Sequence, residues 1–434
     1  MAISGRVPLL LLLGLIPVVL WPAPWVVLAW AGLVAAVTLV DRALAVRPEA
    51  LELARELPAS VRLTERAQSS LTLTNPRDRA AALVVRDAWP PSAAPTGSRR
   101  VLRVRGGEAA RLVTTLTPTR RGDLHAAAVT IRSFGPWRLG ARQRHVRLDG
   151  TLRVLPEFRS RVHLPYRLAR LREMDGQAAV HVRGQGTEFD SLREYQVGDD
   201  VRSIDWRASA RAQKTMIRTW RPERDRHILL VLDTARWAAG RLGGGDTQVR
   251  LDAGIETCLL MGALGAASGD RLSLLAVDRE VRARVTRVSG QGHTVAAFAQ
   301  ALSLVEPVVA EADWTLIAAQ IGQVCSQRSL VILVTGLDPA LYAEGLGLVL
   351  PTLAHDHRVV IAHVTDPGLD PRRRQITTAT EAYDAAAADR LDLTTATLAD
   401  RVGRLGVEVV TEPPDKLAPA VADLYLKLKA TGRL

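Results

Sequence analysis

The residues whose types could support chemistry are densest between positions 183 and 211. Six carboxylates lie there among five arginines and three large aromatic residues: Glu188, Asp190, Glu194, Asp199, Asp200 and Asp205, then Arg183, Arg193, Arg202, Arg207 and Arg211, then Phe189, Tyr195 and Trp206. Neighbouring carboxylates can share acid-base work when their environments differ, and Asp199 and Asp200 form the adjacent pair of this segment. The arginines would keep these acids ionised, and bidentate Arg-carboxylate pairs could cover the rings. The segment is therefore predicted to dock a partner or to brace the fold, with hydrolysis as the alternative.

The order of residues in this segment also follows a wider pattern: G-x-G-x-E-F, L-R-E-Y, G-D-D-x-R, I-D-W and S-A-R. The residues concerned are Gly184, Gly186, Glu188, Phe189, Leu192 to Tyr195, Gly198 to Asp200, Arg202, Ile204 to Trp206, and Ser209 to Arg211. This pattern resembles the signature of the bacterial domain-of-unknown-function 58 family (DUF58). The resemblance implies a membrane-anchored protein with a von Willebrand factor A-like domain, often encoded beside MoxR-type AAA+ ATPases.

A docking role and a bracing role assign different tasks to the same side chains. The residues expected to bind a partner are Arg193, Glu194, Tyr195, Asp199, Asp200, Arg202, Asp205 and Trp206. The resemblance makes a MoxR-type AAA+ ATPase the expected cytoplasmic partner. In the bracing alternative, Asp199 and Asp205 form ion pairs with Arg202 and Arg211 that fix the loop against the sheet. Removing one partner of a buried pair costs about 3–5 kcal/mol, so bracing predicts that such variants unfold.

A second candidate site follows the first strand of the C-terminal domain. The resemblance brings with it a metal-ion-dependent adhesion site, which uses D-x-S-x-S, a later threonine and a later aspartate to hold Mg²⁺ through hard oxygen ligands. The corresponding residues here are Asp233, Thr234, Ala235, Arg236 and Trp237, followed by Thr315 and Gly336. Because one carboxylate and water hold Mg²⁺ poorly, we expect a degenerate site with no metal, and no other cofactor. Asp233 is expected to pair with Arg236 or to cap a helix, with a retained partial ligand as the alternative.

Other motifs with catalytic or metal-binding potential are weak. His355 and His357 form an H-x-H pair without further ligands, which is typical of surface residues. Cys258 and Cys325 lie in apolar stretches rather than in a C-x-x-C pattern, which favours a reducing compartment. The sequence holds no G-x-S-x-G elbow, no H-E-x-x-H and no Walker lysine loop, so the chain is not expected to be an enzyme.

An uncharged apolar run at residues 7–40 is expected to hold these elements at a membrane. The run is too long for one span of about 20 residues and is interrupted by W-P-A-P-W, so it predicts a transmembrane helical hairpin with spans near 7–20 and 25–40. Arg6, Arg42 and Arg47 flank the pair, which places both ends in the cytoplasm by the positive-inside tendency. The expected location is the inner (plasma) membrane, multi-pass, with cytoplasmic soluble domains. A cleaved signal peptide is the alternative.

The net charge of +12 comes almost wholly from arginines spread along the chain. Nucleic-acid binding favours clustered cations with interleaved aromatic residues, and the spread of the arginines does not follow this pattern, so no nucleic-acid partner is expected. A basic surface that faces anionic lipid accounts for the charge better.

The chain of 434 residues is long enough for several domains. With the hairpin at residues 1–42, short alternating runs predict an antiparallel β-sandwich of about seven strands over residues 50–156. Residues 157–225 are expected to hold the signature segment and a basic amphipathic linker helix, which lies on the membrane or packs on the next domain. Residues 226–434 alternate apolar strands and helices, which predicts a doubly wound α/β sheet like that of von Willebrand factor A-like domains.

Together these features predict a non-enzymatic, membrane-anchored scaffold or adaptor that docks a cytoplasmic partner, in cell-envelope or protein-complex assembly. Two alternatives stay open. One is a metal-dependent adhesion module, and the other is a hydrolase that acts through the Asp199/Asp200 carboxylates.

Overall fold

Two units make up the fold in a computed structural model of the protein, Met1–Glu157 and Phe158–Leu434. The structure describes residues 2–181, 188–196, 201–221, 226–243, 248–370 and 377–433. The chain is a multidomain, mixed α/β protein with several sheets. The finer division into four parts, at residues 42, 50, 157 and 226, stays a prediction.

The apolar N-terminal run forms three helices in the first unit: α1 (Arg6–Leu13), α2 (Leu15–Leu20) and α3 (Pro24–Leu44). Pro24 lies in the first turn of α3, where the N–H that proline lacks would have no helical partner. Gly14 separates α1 from α2 and lets the Trp30 ring approach closely, and Trp30 Nε1 donates to the Leu10 carbonyl (3.0 Å). Among the described residues, one helix, which begins at Pro24, is long and apolar enough to cross a membrane. The second span stays a prediction.

Eleven described strands belong to the first unit. They are β1 (Ala2–Ile3), β2 (Glu52–Glu56), β3 (Ser60–Arg62), β4 (Ala67–Thr74), β5 (Ala81–Ala88), β6 (Arg99–Val104), β7 (Ala109–Leu116), β8 (Gly122–His125), β9 (Ala128–Phe134), β10 (Gly140–Val146) and β11 (Thr151–Leu155). The strand orders of their sheets are β1-β10-β9-β5-β6, β2-β4-β7 and β3-β11-β8. Pairing is antiparallel except between β3 and β11. The sequence pattern predicted antiparallel strands over residues 50–156, but ten described strands lie there instead of about seven. The third sheet and its parallel pair were not predicted.

The core of the first unit lies between two of these sheets because alternate residues of their strands point inward. Leu71 of β4, Leu83 of β5 and Leu112 of β7 are at most 1% exposed and share one apolar cluster. One ion pair is buried beside it, since Arg55 Nη2 lies 2.7 Å from the Asp87 carboxylate and both side chains are almost fully covered. Pairing satisfies the charge of Asp87, which would otherwise be costly to bury.

The C-terminal end of α3 is held by the 135–140 turn, which connects β9 to β10. Asp41, in the last turn of α3, is completely buried. Its carboxylate accepts the backbone N–H groups of Trp137 (2.8 Å), Leu139 (2.7 Å) and Gly140 (2.9 Å). Hydrogen bonds to an ionised acceptor are roughly twice as strong as neutral ones. The apolar helix and the five-stranded sheet are therefore joined by side-chain chemistry as well as by the chain.

The second unit contains the remaining described α-helices and β-strands. They are α4 (Leu164–His181), β12 (Glu188–Glu194), α5 (Trp206–Ala212), β13 (Met216–Arg221), β14 (His227–Asp233), α6 (Arg250–Ala267), β15 (Arg271–Val277), β16 (Val281–Val288), α7 (Gln291–Leu302), α8 (Trp314–Val324), β17 (Leu330–Val334), α9 (Pro339–Leu341), α10 (Gly347–Asp356), β18 (Arg358–Val364), α11 (Ala379–Gly403), β19 (Glu408–Glu412) and α12 (Pro414–Ala430). β12 pairs with β13, and the other six strands form the order β16-β15-β14-β17-β18-β19.

The six-stranded sheet is parallel except at its β16 edge. Its central strands β14, β17 and β18 are continuous apolar runs that are buried along almost their whole length, as expected for strands covered on both faces. If these six strands are numbered by their order along the chain, β14 is strand 1 and the order across the sheet is 3-2-1-4-5-6. The chain therefore adds strands first on one side of β14 and then on the other. Ligands of such open sheets bind where the carboxyl ends of the central strands meet.

The basic linker helix α4 packs on the second unit. Arg167 Nη2 lies 2.7 Å from the Asp423 carboxylate of α12. Just before α4, the Glu256 carboxylate of α6 accepts the N–H groups of Arg159 (2.7 Å) and Ser160 (2.9 Å). Of the two roles predicted for this helix, packing on the following domain is the one observed.

Candidate functional site

The carboxyl edge of the central strands carries Asp233, the acid of the predicted degenerate metal site. Asp233 is 1% exposed, and its two oxygens accept the Ala235 N–H (2.8 Å) and the Thr335 hydroxyl (2.6 Å). Burial raises the pKa of Asp233 to about 6. Both carboxylate oxygens are therefore used inside the fold, at the end of β14.

The predicted ion pair between Asp233 and Arg236 was wrong. Arg236 is exposed and lies 2.7 Å from Glu311 and 3.8 Å from Glu344. The alternative, a helix cap, was also wrong, because Asp233 bonds to a turn and to the hydroxyl that follows β17. Desolvation explains the outcome, since the buried acid is satisfied by neutral donors while the arginine reaches solvent.

Two of the other positions of the metal-binding pattern are occupied by residues that pack on each other. Trp237 is 8% exposed, and a Cβ at Gly336 would overlap its Cδ1 atom and lie 2.7 Å from Nε1. The Arg250 guanidinium stacks 5.6 Å from the centre of the Trp237 ring, and the His363 ring lies 5.9 Å away. The indole thus fills space that glycine leaves open after β17. Among the described residues, no group of three potential metal ligands is close enough to hold an ion.

A cavity of about 210 Å³ opens beside this aromatic residue. It is lined by Arg236, Trp237, Arg250, Glu311, Asp338, Leu341 and Glu344. A hydrogen bond with Glu311 raises the pKa of Glu344. The cavity is therefore lined by basic and acidic side chains, and two of the acids, Glu311 and Glu344, are hydrogen-bonded to each other.

Asp278, at the end of β15, stabilises the neighbouring loop. Its carboxylate accepts the Thr234 hydroxyl (2.8 Å) and two donors of Arg282 (2.7 and 3.0 Å). Burial alone would raise the pKa of Asp278, but the hydrogen bonds from Arg282 and Thr234 lower it below its usual value. This acid is ionised and paired, so it has a structural role.

The signature segment forms a small antiparallel sheet of β12 and β13 with α5 between them. Asp205 caps α5 by accepting the N–H groups of Arg207 (3.0 Å) and Ala208 (2.9 Å), and Arg218 Nε donates to its other oxygen (2.8 Å). The Ala208 N–H and the Arg218 side chain lower the pKa of Asp205. The predicted pair with Arg211 was wrong, because β13 brings Arg218 to the carboxylate instead.

The remaining predicted docking residues are placed separately. Glu194 lies 3.2 Å from Lys214 Nζ, and Arg193 Nη1 donates to the Glu194 carbonyl (3.2 Å). Arg202 is exposed and Tyr195 is half-buried, whereas Trp206 is 72% exposed. Asp199 and Asp200 lie outside the described residues. Of the described members of this set, Glu194 contacts Lys214 and Arg193, whereas Asp205 contacts Arg218.

Two features of this unit differ from what its sequence indicates. His357 is 6% exposed rather than on the surface, and burial lowers its pKa. The metal-binding pattern does not include Thr335, whose hydroxyl donates to Asp233, but the end of an apolar strand marks it as part of the edge where ligands of such sheets bind. The pairing of Trp237 with Gly336 had no local signal, because the two residues are far apart along the chain.

Similar proteins have been named without a function. The chain is 28% identical to Uncharacterized protein YeaD of Bacillus subtilis over 116 residues, which is 26% of this chain and 28% of that protein. It is 25% identical to Uncharacterized protein Rv1480 of Mycobacterium tuberculosis over 193 residues, which is 43% of this chain and 57% of that protein. The match thus spans little more than half of these relatives at most.

Solved structures give weaker similarities. A FixG-related protein from Vibrio parahaemolyticus aligns with 24% of this chain and 96% of its own at 9% identity and a TM-score of 0.18. The CARDB domain of the PF1109 protein from Pyrococcus furiosus aligns with 22% of this chain and 87% of its own at 13% identity and a TM-score of 0.16. Scores this low establish neither a shared fold nor a shared function. By its sequence, this chain matches over residues 191–403, just under half of its length, the family described as "Protein of unknown function DUF58".

Proposed function

We propose that this protein is a non-enzymatic, membrane-anchored scaffold or adaptor whose second unit, a von Willebrand factor A-like domain, docks a cytoplasmic protein. The family resemblance makes a MoxR-type AAA+ ATPase the partner to test first. The apolar helices are proposed to form a two-span anchor in the inner membrane, with both soluble units in the cytoplasm. The long apolar helix α3 supports the anchoring part of this proposal.

The observation that carries the docking role is the exposure of Trp206. Its side chain is 72% exposed at the start of α5, directly after Asp205, whose carboxylate is held by three hydrogen bonds. Val201, five residues earlier, is 62% exposed. Large aromatic residues on a rigid support are the commonest anchors of protein interfaces. The braced acid thus fixes the backbone from which an apolar anchor projects.

This arrangement also reconciles the two roles predicted for the signature segment. Asp205 braces the segment, because its bonds all lie within the fold, whereas Trp206 is available to a partner. Docking and bracing are therefore divided between adjacent residues.

A binding assay with purified proteins tests this division. The full chain in detergent would be mixed with a MoxR-type ATPase from the same genome, and the dissociation constant measured. Trp206→Ala should weaken binding about thirtyfold or more, since anchor residues contribute about 2 kcal/mol or more. Tyr383→Ala is the matched control, because Tyr383 is 79% exposed in the same unit and lies on α11. Equal affinity for Trp206→Ala and wild type, with both folded by circular dichroism, would refute docking at this residue.

The metal-dependent alternative predicts a different measurement. Asp233 is buried and already accepts two hydrogen bonds, and the neighbouring indole fills the adjoining space. Calorimetric titration of the full chain with Mg²⁺ should therefore give no saturable isotherm. A saturable isotherm that disappears in Asp233→Asn would support the adhesion module instead. Hydrolysis through Asp199 and Asp200 concerns acids outside the described residues, and nothing in the described site favours it.

A further inference from the structure

We propose that the end of the first unit from which the apolar helices emerge binds anionic phospholipid headgroups. The surface concerned, named here the helix-mouth surface, consists of Arg6, Trp137 and Arg138. The proposal rests on the membrane anchoring in the proposed function and adds the lipid class that the anchor selects. It does not depend on the docking role of the second unit.

One turn of the β-sheet holds both ends of the apolar helical segment. At the start of α1, Arg6 Nη1 donates to the Trp137 carbonyl (3.1 Å), and the Ser4 N–H donates to the Leu139 carbonyl (3.0 Å). At the end of α3, Asp41 accepts three N–H groups of the same 135–140 turn. The helices therefore enter and leave at one place, and a bilayer that contains them must begin beside this turn.

The charge at this place is basic because its acid is withdrawn from the surface. Asp41 is 0% exposed, and its carboxylate accepts three backbone N–H groups instead of facing solvent. Arg6 and Arg138 are exposed, and Arg138 projects from a backbone with φ of 58° at the tip of the turn. A surface that carries exposed guanidinium groups beside a sequestered carboxylate attracts anions rather than cations.

Trp137 gives this surface the composition of a membrane interface. Trp137 is 51% exposed, precedes Arg138 in the chain, and is tied through its backbone to Arg6 at the start of α1 and to Asp41 at the end of α3. Tryptophan is enriched at headgroup depth because one face of its ring is apolar while the N–H remains hydrated. Exposed cations attract an anionic headgroup through their charge. An exposed Trp-Arg pair at the base of apolar helices therefore matches an anionic phospholipid headgroup.

The register of the five-stranded sheet supplies a matched control surface. Arg86 on β5 and Arg99 on β6 are directly opposite each other and are exposed. Ala82 of β5 is paired with Phe134, the residue that precedes the 135–140 turn. Arg86 lies four positions after Ala82 in β5, so the control pair lies about 14 Å further along the strands. Both pairs carry the same charge on the same unit, but only one lies at the helix mouth.

A lipid titration tests the proposal on the full chain. The protein in phosphatidylcholine-doped detergent micelles would be titrated with phosphatidylglycerol, and the rise of the thermal unfolding midpoint would give the half-saturating lipid concentration. Arg6→Gln with Arg138→Gln should raise that concentration about thirtyfold, at about fivefold for each cation near an anionic surface. Arg6→Lys with Arg138→Lys and Arg86→Gln with Arg99→Gln should both stay within about twofold of wild type.

The outcomes separate the lipid contact from the anchoring. Equal half-saturation for the two glutamine double variants, or no preference of wild type for phosphatidylglycerol over phosphatidylcholine, would overturn the proposal while leaving the anchor in place. Alkaline carbonate extraction of expressing membranes measures the anchor separately. Release of the wild-type protein into the soluble fraction would overturn the anchor and this proposal together.

Discussion

The contact between Trp237 and Gly336 predicts a strong energetic coupling. Replacing Gly336 with alanine adds a Cβ that overlaps Cδ1 of the indole and lies 2.7 Å from its Nε1. Trp237 is 8% exposed and the Arg250 guanidinium lies over its ring, so a shift of the ring would lose packing. Overpacking of this kind costs about 1–3 kcal/mol of unfolding free energy. Trp237→Ala alone should cost about 3–5 kcal/mol through the cavity that it leaves.

The test is a double-mutant cycle on the full chain in detergent, with urea unfolding followed by circular dichroism. In the Trp237→Ala background the added methyl group of Gly336→Ala enters empty space, so its cost should fall to near zero. The coupling free energy is then about 1–3 kcal/mol, well above the scatter of about 0.5 kcal/mol for independent sites. Costs that add within that scatter would refute the view that the indole occupies the space left by glycine.

Three further predictions follow from buried or capping carboxylates. Asp41→Ala leaves three backbone N–H groups of the 135–140 turn without their acceptor, at about 1–3 kcal/mol each. The free energy of unfolding should therefore fall by about 3 kcal/mol or more. A loss under about 1 kcal/mol would contradict the hydrogen-bonded joint. Burial raises the pKa of Asp233 from its usual 3.8 to about 6 in the folded chain. The contribution of this side chain to folding stability is therefore complete below about pH 3.8, and it is lost as the pH rises through about 6 and the buried group ionises. Asp233→Asn should therefore raise the free energy of unfolding near neutral pH by up to about 3 kcal/mol and change it little near pH 4. Urea unfolding at both pH values checks this, and equal effects at the two values would contradict it. Asp205→Asn retains the α5 cap but loses the ion pair with Arg218, whereas Asp205→Ala loses both. Asp205→Asn should therefore lower the melting temperature less than Asp205→Ala does, and the reverse order would contradict a stabilising cap.

Periodicity predicted most of the secondary structure. The alternating runs before residue 156 and the apolar strands after residue 226 were recognisable because burial imposes a period on side chains. The 25-residue helix α11 was likewise visible in its alanine-rich composition. Sheet membership was less accessible, because the parallel pairing of β3 with β11 joins residues almost a hundred positions apart.

The sequence shows which residue types stand around Asp233 but not which contacts they make. Loss of the metal-binding residue types around Asp233 could be seen directly in the sequence. The hydroxyl that satisfies this acid belongs to Thr335, and the ring beside it is accommodated by Gly336, both about a hundred residues away. Charge alone could not choose between Arg211 and Arg218 as the partner of Asp205, because the choice depends on how β13 returns past α5.

The joint at Asp41 has a mechanical consequence. A flexible linker would let a helix change its angle while the folded unit beside it stayed still. Here the Asp41 carboxylate accepts three backbone N–H groups of the sheet, so α3 and the sheet would change orientation together. If α3 crosses a membrane as proposed, bilayer thickness would influence the tilt of the helix and, through this joint, the orientation of the β-sheet.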